Sequence, residues 1–142
     1  MTRAVQPTLP GAEPRRAGVG RAPAMSEESL LAAIRKLAKM TGGRWMTYHT
    51  RFSRGSEPGW PDLVLLSVRQ RRLLAIELKR EGEQPTAAQE LWLGALAAVG
   101  IETGVWRPGD LPEIASVLRG RRIEPGEFGV TPLSEAEARW MR

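Results

Sequence analysis

Between Ser26 and Met40, apolar side chains recur at Leu30, Leu31, Ile34, Leu37 and Ala38, a spacing that closes one stripe of an α-helix. Ser26 suits its N-cap, acids Glu27 and Glu28 its first turn, and Lys39 its last turn. After the Gly42-Gly43 break the pattern shortens. "RWMTYHT" reads as a strand and "RFSRGSEPGW", with Gly55, Pro58 and Gly59, as a polar loop. Two apolar runs follow, "DLVLLSV" and "LLAIELK", joined by the polar turn "RQRR". Periodicity alone would allow helices of this length, but the Val and Ile content favours strands of a largely buried sheet. "TAAQELWLGALAAV" predicts a second helix closed by Gly100, "IETGVW" a strand that Pro108 ends, and "DLPEIASVLRG" a last short helix. The order α-β-β-β-α-β-α describes an α/β class, a mixed sheet flanked by helices.

The two ends differ from this middle. Residues 1–24 are rich in Pro, Gly, Ala and Arg without sustained period, so they are expected to be a disordered basic leader. Met25, directly before the first helix, is a second candidate translation start. Residues 120–142 are mixed in charge and expected to be a peripheral extension, with at most a short helix near Ser134. The 142 residues suit one domain, placed at residues 25–119.

Composition narrows the chemistry. With no cysteine and one histidine, disulfides and Cys-rich zinc sites are excluded, and any bound metal must rely on carboxylate oxygens. Such donors favour Mg2+ or Mn2+. No window reaches the roughly 18 apolar residues of a membrane span, and the leader has no signal-peptide core, so no membrane partner and a cytoplasmic location are expected. The net charge of +5 is concentrated in the leader, where four Arg face one Glu, and is weak evidence for a nucleic-acid partner.

Against this background Asp62, Glu77 and Lys79 stand out, because they interrupt an apolar hairpin. Glu77 and Lys79 are two residues apart on a strand and share a face. A turn centred between Arg69 and Arg71 sets Asp62 opposite a residue between 77 and 79, so both acids and the ammonium converge at one end of the hairpin. Taken singly, Pro-Asp is an ordinary turn opener and Glu-x-Lys an ordinary same-face ion pair. Jointly they are expected to form an oxygen-ligand metal site, because adjacent acids repel and a cation between them relieves the repulsion.

These residues carry a resemblance. "GWPDLVLL", "IELK" fifteen positions from Asp62 to Glu77, "TAAQELWLGAL", "VWRP" and the "YHT" ending of the first strand resemble the VRR-NUC group of virus-type replication-repair nucleases, within the PD-(D/E)xK superfamily. The chain resembles short phage and prophage members of the group, over roughly residues 25–119. The resemblance implies a restriction-endonuclease-like core and a metal-dependent nuclease. Asp62 and Glu77 would be metal ligands, with the Leu78 carbonyl as a further donor. Lys79 would orient the attacking water and stabilise phosphate charge. It also implies a Glu on the first helix, and 100° per residue places Glu27 within the apolar stripe and Glu28 toward water. This helix departs from relatives that carry Gln in its first turns, where this chain has Ser29 and Leu31.

Gln89 has two readings. It completes a capping box with Thr86, and the resemblance places a Gln near the site, followed by an aromatic, here Trp92. Trp92 is expected in the core with Leu96 and Val99. His49, at a strand end, is a candidate substrate contact, although a lone histidine is more often a packing or surface residue. Arg51, Arg54 and Arg80, on loops or strand ends near the acids, are candidate phosphate contacts. Arg69, Arg71 and Arg72, at the opposite end of the hairpin, are expected to be solvated or to form a secondary DNA contact. Trp60 is expected to anchor its loop.

The leading reading is a divalent-metal-dependent DNA endonuclease, structure-selective and, by analogy with the group, a homodimer. One competitor is a catalytically inactive nucleic-acid-binding module of the same fold, which should have lost a carboxylate or the lysine. The other is a partner-binding protein whose acids and Lys79 are surface ion pairs without metal affinity.

Overall fold

Ser26 starts the first helix as its spacing predicts: its hydroxyl accepts the Ser29 N–H at 3.0 Å. The computed structural model describes residues 24–50 and 57–139, and the expected leader, apart from Ala24, lies outside them. The elements are α1 (Glu27–Met40), β1 (Met46–His49), β2 (Leu63–Ser67), β3 (Arg72–Leu78), α2 (Ala87–Ala98), β4 (Glu102–Trp106), α3 (Leu111–Arg119) and α4 (Glu135–Ala138). A 3-10 turn at Pro108–Asp110 leads into α3. Strand order in the four-stranded sheet is β1-β2-β3-β4. The first two pairings are antiparallel and β3–β4 is parallel, which requires the crossover that α2 supplies. The fold is therefore mixed α/β with a central sheet flanked by helices.

Alternation along the strands separates two faces. Leu63, Leu65, Leu74, Ile76, Leu78 and Trp106 form the main core with Leu30, Leu31 and Ile34 of α1 and Ile114, Val117 and Leu118 of α3. On the other face, Leu93 of α2 packs with Val105 and Val130. α2 lies over β3 and β4. The β1 side of that face keeps Met46, Tyr48, Leu66 and Leu73 exposed.

Three expectations are corrected. The segment after Gly120 is not peripheral: Phe128 is buried edge-on against Trp106, and its carbonyl accepts the Val105 N–H at 2.9 Å. The Leu133 N–H likewise donates to the Gly94 carbonyl at 2.9 Å, and glycine at 94 keeps that approach open. Arg72 is not solvated, unlike exposed Arg69 and Arg71. It is buried, pairs with Glu102 at 2.6 Å, donates to the Val117 and Arg121 carbonyls, and lies over the Trp45 ring. Trp92 is half-buried rather than core, and Val99 is exposed. α2 is apolar on nearly every side, so its periodicity could not select the buried face, which Leu93 and Gly94 occupy.

Candidate functional site

The β2–β3 register pairs Leu63 with Ile76, and one further step sets Asp62 opposite Glu77. The alternation then places Asp62, Glu77 and Lys79 on the α2 side of the sheet, at one end of the hairpin. Asp62 is fixed by its Oδ2, which accepts the Leu78 N–H at 3.0 Å. Lys79 is fixed by its own N–H, which donates to the Trp106 carbonyl at 3.0 Å. Its Nζ lies 4.0 Å from Glu77 Oε2.

Glu77 is 1% exposed, and its two oxygens differ. Oε2 accepts from Gln89 Nε2 at 2.7 Å, whereas Oε1 is buried without a hydrogen-bond partner among the described residues. Burial, and after it the neighbouring Asp62 carboxylate, push the Glu77 carboxyl up to about 9. Gln89 serves both of its readings. Its Oε1 accepts the Thr86 N–H at 2.8 Å while Thr86 Oγ1 accepts the Gln89 N–H, so the capping box aims the amide at Glu77.

A groove of about 940 Å³ opens beside this centre. One end is lined by Glu27, Glu28, His49, Thr50, Asp62 and Leu78. Glu27 and Glu28 thus both face the groove, although only Glu27 falls in the apolar stripe of α1. The Glu27 carboxyl is pushed up by partial burial and then by the charge of Asp62, against the pull of Lys79. Arg80 is exposed and paired with Glu83 at 2.7 Å. Arg51 and Arg54 lie outside the described residues.

The loop before Asp62 is anchored from α2. Trp60 meets Trp92 edge-on, with centroids 5.2 Å apart. Gly59 has φ +88°, and a Cβ there would lie 2.5 Å from the Ala88 carbonyl. Only glycine suits both the left-handed backbone and the close approach.

Among the described residues no three His, Cys, Asp or Glu side chains group to hold an ion. Two carboxylates, one with an orphaned buried oxygen, and the Leu78 carbonyl nonetheless suit a hard cation that keeps several waters. Sequence reasoning treated the basic residues of α1 only as helix-end charges, yet Arg35, Lys36 and Lys39 line the far part of the groove. The signal was available in their spacing with Glu28 and Ala32, which places all five on one helical stripe.

The VRR-NUC domain family matches residues 13–108, from within the expected leader to just past β4. No curated protein and no solved structure matches the chain.

Proposed function

Because the chain belongs to the VRR-NUC domain family and so has a nuclease-related function, we propose that it is a divalent-metal-dependent endonuclease that hydrolyses DNA phosphodiester bonds, with a preference for branched or junction DNA. The observation that carries this reading is Glu77: a buried carboxyl group with an unpartnered oxygen, beside a second carboxylate and a lysine. The Pro61-Asp62 and Glu77-Leu78-Lys79 placement supports reading the sheet as a PD-(D/E)xK core. Asp62, Glu77 and the Leu78 carbonyl would hold Mg2+ or Mn2+, which when bound supplies neutralisation of phosphate charge and an acidified water at neutral pH.

The chain's own groups do the rest. Lys79 holds a positive charge where negative charge develops on the phosphate and orients the attacking water. Gln89 fixes the rotamer of Glu77. Glu27, its carboxyl raised by partial burial and by the charge of Asp62, lines the groove with Asp62 and is proposed as the helix acid of the site. His49 and Arg80, with Arg51 and Arg54, are proposed backbone contacts, His49 from within the groove. A homodimer is the proposed assembly, supported by the exposed apolar face of Met46, Tyr48, Leu66 and Leu73; light scattering at a monomer mass would remove it.

The inactive-module alternative is disfavoured because Asp62, Glu77 and Lys79 are all present and converge. The test is cleavage of branched, single-stranded and duplex DNA with Mg2+, Mn2+ or chelator. We expect metal-dependent cutting that falls by at least about a hundredfold in Lys79→Ala. No cutting of any substrate, with no heat of Mn2+ binding, leaves a binding module in its place.

A further inference from the structure

We infer that Arg35, Lys36 and Lys39 of α1 form a phosphate track that seats one DNA strand as it leaves the carboxylate centre. The inference rests on the DNA reading above and adds the path the substrate takes. The groove is electrically divided. Glu27, Glu28 and Asp62 line one end, and Arg35, Lys36 and Lys39 line the other. Such a layout suits a polyanion, one of whose phosphates meets a cation at the acidic end while its neighbours meet side chains directly at the basic end. A site for a small anion or a lone cation needs only one sign of charge.

Helix-dipole complementarity accounts for acids first and bases last, but it fades within a turn of each end. It does not require Arg35, which precedes the last turn, and it does not select a face. Glu28, Ala32, Arg35, Lys36 and Lys39 nonetheless share one stripe, well round the helix from the stripe buried in the core. From Glu28 to Lys39 the stripe runs roughly 17 Å at 1.5 Å per residue. Measured along a duplex axis, that is about five phosphate steps of one strand at 3.4 Å each. The three cations are also available: the ion pairs among the described residues engage Arg72, Lys79, Arg80, Arg121 and Arg122, and none of these three. Lys36 and Lys39 are exposed and Arg35 is half-buried, so all three charges are open to the groove.

The experiment measures binding of labelled single-stranded and duplex DNA across salt concentrations in chelator, where no cutting occurs, for the full chain and for the triple variant Arg35→Ala, Lys36→Ala, Lys39→Ala. The expected result is a weaker complex whose log K against log salt slope is shallower by about 2 to 3, since each phosphate that the protein no longer neutralises removes about 0.7 to 0.9. With Mg2+, KM should rise about tenfold while kcat stays within about twofold, the signature of weakened uniform binding. The charge-preserving variant Arg35→Lys, Lys36→Arg, Lys39→Arg should keep the wild-type slope. An unchanged slope in the alanine variant overturns the track, and so does an equal loss in the charge-preserving one. Because the slope is read without metal, failure of the wild type to cut would remove the nuclease reading and leave the track standing.

Discussion

Glu77 is held in the fold in an unfavourable setting: a carboxyl group 1% exposed, with one oxygen lacking a partner, tolerates neither a bare charge nor an empty lone pair well. A proton or a cation resolves this, and pH separates the two. The folded group titrates at about 9 and an ordinary Glu at 4.5, so across that window the metal-free fold keeps a proton that the unfolded chain has lost. The contribution of Glu77 to stability is therefore fully present below about 4.5 and is lost as pH rises toward 9. Melting in chelator should show this decline. Glu77→Gln, which keeps the shape but cannot titrate, should flatten it; identical pH profiles for the two proteins would count against the raised pKa. The same residue illustrates what sequence could tell. Its spacing from Asp62 and Lys79 was legible, but its burial and the orphaned oxygen depended on α2 covering that end of β3.

At the scale of elements, α2 does two things through one capping box. Thr86 starts the helix, and the Gln89 that completes the box also holds Glu77. Thr86→Ala should cost about 1 kcal/mol of stability, the usual value of a missing N-cap. It should also lower cleavage, because the Gln89 N–H loses its Thr86 hydroxyl and the turn that aims the Gln89 amide at Glu77 loosens; an unchanged turnover would separate the cap from the site. The hairpin shows why the strands were legible: an apolar run on each side of a polar turn fixes the register, and the register fixes what faces Asp62. The faces of α2 were not legible. A helix apolar on most sides offers several candidate stripes, and the choice of Leu93 over Trp92 was made by the sheet beneath it.

Across the whole molecule, the segment after Gly120 closes the fold. Phe128 fills the space beside Trp106 that glycine at 104 leaves, since a Cβ there would lie 2.9 Å from the Phe128 Cβ. Phe128→Ala should cost about 3–5 kcal/mol, the range for truncating a buried aromatic, read from the denaturation midpoint. A loss under about 0.5 kcal/mol, the usual surface value, would restore the segment to the periphery. The packing bears on the site because the Trp106 carbonyl also accepts the Lys79 N–H, so the C-terminal segment reaches the end of β3 by way of β4. No helix among the described residues is long and apolar enough to cross a membrane.

By itself, the sequence determined the order of elements, the caps at Ser26 and Thr86, and the convergence of Asp62, Glu77 and Lys79. Each of these follows from local periodicity or from a short hairpin whose turn dictates its register. Tertiary structure alone decided three other things: that Arg72 turns inward to Glu102, that Phe128 and Val130 join cores built far earlier in the chain, and that the basic stripe of α1 continues the groove from Asp62. The physical reason is common to all three. Whether a charged or aromatic side chain is buried depends on which distant surface comes to cover it, and that information is spread over contacts whose partners no local pattern names.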